Sequence, residues 1–234
     1  MGELLRAAFE LYRRNVRLVL MVTVPIVIVV TGLTALGLGE LGARVKPAPP
    51  LRDAYVDFGT SQLVMAPLIG AMLARLVLLR QRGEMVSATD LVADALEVFP
   101  AVLLVIVVWL AVSFLGFVSL IVPGVYIFVS WYFVVQAVVI DGDRGFAPVT
   151  RSARLVRGHW WQSAIMGVAF QLVALAPQAV IVYALTPVAR SANSYAVVVL
   201  AAALANVVAL PFLAVGATLY YLRLRDGAAS AARA

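Results

Sequence analysis

Residues 98–140 read VFPAVLLVIVVWLAVSFLGFVSLIVPGVYIFVSWYFVVQAVVI, 43 residues without an Asp, Glu, Lys or Arg. A helix needs about 20 apolar residues to cross the ~30 Å hydrocarbon core of a bilayer. The stretch is therefore too long for one crossing and right for two. Pro123-Gly124 marks the division, because Pro and Gly punctuate helices. An alternating barrel strand is excluded, since barrels alternate apolar and polar residues over ~10-residue segments and this run does not.

Charge-free runs on either side extend the pattern. They are Leu18–Gly39, Phe58–Ala74 (interrupted by Arg75 and resumed to Leu79), His159–Ala189 and Ser191–Leu222. The sequence predicts an all-α polytopic membrane protein of six helices, spanning about 16–39, 55–80, 99–121, 124–140, 160–187 and 194–222, in one domain over 1–226 with a short tail at 227–234. Composition agrees. The chain has 234 residues, is 64% hydrophobic and 13% charged, and has a mean hydropathy of +1.01. Soluble domains are nearer half apolar and a quarter charged. The first apolar run is too long for the 7–15-residue core of a signal peptide and reads as an uncleaved helix.

Cysteine is absent and His159 is the single histidine, which excludes disulfides, thiolate chemistry and multi-imidazole metal sites. No cofactor is expected. The net charge of +6 comes from seventeen arginines and Lys46. On a membrane protein such an excess reports topology, and nucleic acid is not an expected partner. With both termini in the cytoplasm, 14 basic residues lie inside and 4 outside. The expected location is thus the cytoplasmic membrane, and the Arg, Ala and Val richness points to a GC-rich bacterial genome.

Residues 3–17 place Glu3, Arg6, Glu10, Arg13 and Arg17 on one helical face and Leu4, Leu5, Ala8, Phe9, Leu11 and Tyr12 on the other. The apolar spacing returns at Leu91–Phe99 and at Pro148–Val156, each time before a pair of spans. This predicts three units of an in-plane amphipathic helix plus a transmembrane hairpin. The second copy is acidic (Asp90, Asp94, Glu97) and the third basic (Arg151, Arg154, Arg157); the two could pair and close the cytoplasmic face, or the arginines simply follow the topology rule. Arg13, Arg14, Arg17, Arg151, Arg154 and Arg157 are the candidate contacts to anionic lipid, each contributing about 1 kcal/mol near a charged surface.

Mid-membrane ionisable groups, the usual pointer to ion coupling, are nearly absent, and Arg75 is close enough to Arg80 to snorkel. The buried polar groups are neutral. Gln62, Gln136, Gln171, Gln178 and Asn206 are candidates for interhelical hydrogen bonds, contributing about 0.6 kcal/mol each, or for a polar interior path. Asp53 and Asp57 are expected to contact Arg44, Lys46 or Arg52. Asp141-Gly-Asp-Arg-Gly145 lacks the further ligands of a calcium loop and reads as a tight turn. No nucleotide-binding, serine-hydrolase or zinc-protease motif is present.

Several stretches resemble one family, the membrane domain associated with glycerophosphoryl diester phosphodiesterases and its free-standing bacterial relatives. They are Ala8–Asn15, Pro123-Gly124-Val125-Tyr126, Ser152–Trp161, Pro211 and Leu219–Arg225. Ser130 and Leu222 stand where that family often has Arg and Asp. The phosphodiesterase chemistry of fused relatives resides in a separate soluble domain, so the resemblance implies a non-enzymatic membrane protein. Its expected partners are membrane lipids, another protein or a second copy of itself. A transporter or channel for a small or amphipathic solute is the alternative, and a solvent-filled cavity lined by the Gln residues and Asn206 would favour it.

Overall fold

The computed structural model describes residues 2–38 and 60–231. The expected contacts of Asp53 and Asp57, and the side chain of Gln62, lie outside the described residues. All regular structure among the described residues is helical. Six segments are long and apolar enough to cross a membrane: Val16–Gly37, Leu63–Gln81, Ala88–Ser119, Ile121–Asp141, Trp160–Ala192 and Tyr195–Ser230. The chain is an integral, multi-pass, all-α membrane protein.

Helix α1 (Gly2–Arg14) is amphipathic and buries Ala8 against the core. It ends at Asn15, whose side-chain amide donates to Leu11 O at 3.0 Å, and α2 (Val16–Gly37) follows at once. A single π-helical turn, Ser61–Met65, leads into α3 (Ala66–Gln81). Helix α3 is the centre of the bundle. Its span is 67% buried, against 17–39% for the other five, with Ile69, Met72, Leu73, Leu76 and Val77 fully enclosed. Such a helix must be apolar all round, and only Arg75, Arg80 and the terminal Gln81 depart from that.

Helix α4 (Ala88–Ser119) corrects the expectation of a separate second amphipathic helix. Ser87 and Asp90 form a reciprocal capping box that starts the helix. The chain then runs unbroken through Pro100 into the third span, because neighbouring helices let a membrane helix tolerate an interior proline. The three-unit repeat thus survives as free-standing helices only in its first and third copies. The acidic face of the second does not pair with the third either. Asp94 binds Arg75 of α3, at 2.9 Å.

Pro123-Gly124 does not make the turn between the third and fourth spans. The turn is at Leu120, which is extended (φ −159°, ψ 134°), and α5 (Ile121–Ser130) begins right after it. Pro123 occupies the first helical turn, where its missing N–H removes no bond. Gly124 serves packing: a Cβ there would lie 2.6 Å from Phe117 N, and one on Gly116 would lie 2.9 Å from Gly124 Cα. The α4–α5 hairpin closes backbone to backbone through these two glycines, as small residues allow in membranes.

The fourth span is itself broken at residues 131–133 and resumes as α6 (Val134–Asp141). A turn with Gly142 and Gly145 at positive φ (71° and 61°) leads to α7 (Ala147–Val156), and Gly158 (φ 86°) to α8 (Trp160–Ala192). Asn193 (φ 48°) reverses the chain into α9 (Tyr195–Ala231). Helix α9 continues into the short tail as far as Ala231, as the alanine-rich sequence favours. Helices α8 and α9 pack along their length, and Gly216 receives the ring of Phe170, which also meets Phe212 edge-on at 5.9 Å.

Candidate functional site

The break in the fourth span leaves Ser130 C=O and Phe133 N–H without their helical partners. Ser152 of α7 satisfies both. Its hydroxyl donates to Ser130 O (2.8 Å) and accepts from Phe133 N (3.1 Å), and it is fully buried. The apolar face of α7 therefore carries one hydroxyl where the broken helix needs it. That role was invisible in the sequence, where Ser152 reads as one more position of an amphipathic stripe.

Around this joint the polar residues at one end of the bundle are wired together. Arg151 holds Asp143 through both carboxylate oxygens, the Nη2–Oδ1 contact being 3.0 Å, and lies 3.8 Å from Asp141. Asp143's hydrogen bond pushes the Arg151 pKa up, and the charges of Asp141 and Asp143 add to it. Asp141 also accepts from the Tyr221 hydroxyl and from Arg225 (3.4 Å). Trp160 stacks on Tyr126 with ring centroids 5.9 Å apart and donates Nε1–H to Tyr126 O at 3.3 Å. Arg151, one of the six candidate lipid contacts, is thus spoken for by two carboxylates.

Arg154 and Arg157 have a different setting. With Arg223 of α9 they line an open cavity of about 780 Å³ between α1, α7, α8 and α9. Among the described residues none of the three forms an ion pair. His159, Gln162 and Tyr220 add polar lining, while Leu4, Leu155, Ile165, Met166 and Leu224 make an apolar wall. Helix α8 opens into this cavity. Its N-cap, His159, makes no side-chain capping bond and lines the cavity with Gln162, so the positive end of a 33-residue helix lies beside the arginines. Helix N-termini of this kind are ready anion sites. Arg13, Arg14 and Arg17 are exposed but do not line this cavity, and Arg14 is paired with Glu10.

A second cavity, of about 390 Å³, lies deeper, between the α4–α5 hairpin, α3, α6 and the α8–α9 hairpin. The structure brings Gln136, Gln171 and Asn206 together on its wall, with Gln178, Trp109 and Tyr132. Among the described residues no Asp, Glu, Lys, Arg or His lines it. Among the described residues Gln136 Oε1 and Trp109 Nε1 are buried without a hydrogen-bond partner, each at a cost of about 1–3 kcal/mol.

No cluster among the described residues has the ligands to hold a metal ion. The Asp141–Gly145 turn spends its carboxylates on arginine and tyrosine. Compared with known proteins, the chain matches no family profile, no curated protein and no solved structure. Its geometry alone carries the functional argument.

Proposed function

We propose that this protein is a non-enzymatic, multi-pass protein of the cell membrane that binds anionic phospholipid in the arginine-lined cavity, with both termini in the cytoplasm. The observation that carries the reading is convergence. Arg154, Arg157 and Arg223, none in an ion pair among the described residues, meet the uncapped start of α8 above an apolar wall. A phosphate on an acyl body matches both halves of that surface. The basic residues at this end support a cytoplasmic orientation. Two stretches on which the family resemblance rests, Ser152–Trp161 and Leu219–Arg225, also meet at this one cavity.

The test is native mass spectrometry of the full chain released from nanodiscs of mixed phosphatidylglycerol and phosphatidylcholine. The wild type should retain phosphatidylglycerol in discrete stoichiometry, and inorganic phosphate should not displace it. Equal retention of both lipids, or unchanged retention in a variant with all three arginines replaced by alanine, would refute the reading.

A further inference from the structure

From the deeper cavity we infer a second binding site, for an uncharged, hydroxyl-bearing amphipath that enters from the bilayer. Among the described residues Trp109 Nε1–H is a buried donor without an acceptor and Gln136 Oε1 a buried acceptor without a donor, and both side chains belong to the wall of this cavity. Gln136 is 5% exposed. Buried polar groups are almost always satisfied, so an unsatisfied pair around one cavity calls for a partner. A hydroxylated head both donates and accepts, the two functions these side chains lack.

The rest of the lining narrows the class. Gln171, Gln178 and Asn206 add amides, and the remaining wall is apolar or aromatic. A carboxylate, phosphate or ammonium would meet no counter-charge among the described residues and would bear its desolvation cost. A volume of about 390 Å³ falls within the range of small-molecule pockets and exceeds what one or two bridging waters fill. Gln171 on α8 is exposed, so the cavity is not sealed on that side. The ligand is accordingly of the monoacylglycerol type, with a neutral hydroxylated head and an aliphatic body.

The experiment uses the full chain in nanodiscs and a monoacylglycerol bearing a diazirine near its head. Irradiation should label peptides of α6, α8 or α9 saturably. Excess unlabelled monoacylglycerol should compete, and the fatty acid of equal chain length should not. Gln136→Leu should lower labelling at least tenfold, and Trp109→Phe, which keeps an aromatic ring, should lower it several-fold. The variant lacking Arg154, Arg157 and Arg223 should label like the wild type, which separates this site from the anionic one. Non-saturable labelling, equal competition by the fatty acid, labelling unchanged in both single variants, or labelling lost with the three arginines would each overturn the inference. Melting curves of the single variants confirm that they are folded, and if Gln136→Leu is not, Trp109→Phe decides alone.

Discussion

The two cavities share the α8–α9 hairpin but treat polarity in opposite ways. Near the start of α8 the polar groups are charged, and those that are buried are paired: Ser152 answers a broken backbone, and Arg151 and Arg225 answer two aspartates. Deeper in, past Phe170 seated on Gly216, the polar groups are neutral amides and an indole, and two of their atoms are unanswered. The difference follows from the solvent each level meets. At the end of the bundle, water and headgroups make charge affordable, so free arginines persist. At mid-depth only neutral groups are tolerated, and an unsatisfied one waits for a ligand.

The largest expected effect sharpens the charged side of this contrast. Replacing Arg154, Arg157 and Arg223 together by alanine removes about 1 kcal/mol of lipid attraction per arginine, or roughly 100-fold in affinity. Titration with phosphatidylglycerol should show it, and raising salt should erode wild-type binding toward the variant's level. A drop of less than threefold would break the distinction between the free arginines and the paired Arg151.

Next in size is Ser152→Ala. It orphans a buried N–H and a buried C=O at the break of the fourth span, at a cost of about 2 kcal/mol or somewhat more. Thermal unfolding in detergent should show the loss, whereas alanine at the exposed Thr150 on the same helix should cost almost nothing. Asp143→Asn should cost about 1 kcal/mol, since the bond it weakens is partly exposed and screened. It leaves Arg151 beside Asp141 alone, 3.8 Å away and outside the cavity lining, so phosphatidylglycerol retention should stay unchanged. A fall in retention would show that the carboxylate holds α7 in place rather than merely occupying Arg151.

These cases also show how much the sequence could tell. The six crossings were legible because desolvation forbids charge in the bilayer, and charge-free runs are read directly. The turn was misplaced from Leu120 to Pro123-Gly124 because proline in a first helical turn and proline in a loop look alike in one dimension. The unbroken α4 was missed because a capping box at Ser87 fixes where a helix starts, while nothing local says whether it stops before Pro100. At the candidate sites, Arg154 and Arg157 were legible as basic positions on an amphipathic stripe. Arg223, which completes the cavity with them, comes from a different helix 66 residues beyond Arg157, and no spacing rule links them. Gln136, Gln171 and Asn206 were identifiable as neutral polar groups within the spans, but their convergence on one cavity with Trp109 depends on how two hairpins pack.

The smallest effect tests the neutral side. Gln136→Leu replaces a buried amide, whose oxygen has no partner, with an apolar side chain of similar volume. Removing an unsatisfied group in this way is neutral or stabilising, so delipidated protein should melt at the same temperature or a few degrees higher, a gain of up to about 1 kcal/mol. The same substitution at a satisfied buried polar group would destabilise, as Ser152→Ala should. Opposite signs for Ser152→Ala and Gln136→Leu, measured in one detergent, would establish that one region is wired for its own stability and the other kept open for a ligand. A clear loss of stability for Gln136→Leu would mean that its oxygen already has a partner in the empty protein, and the contrast between the two cavities would collapse.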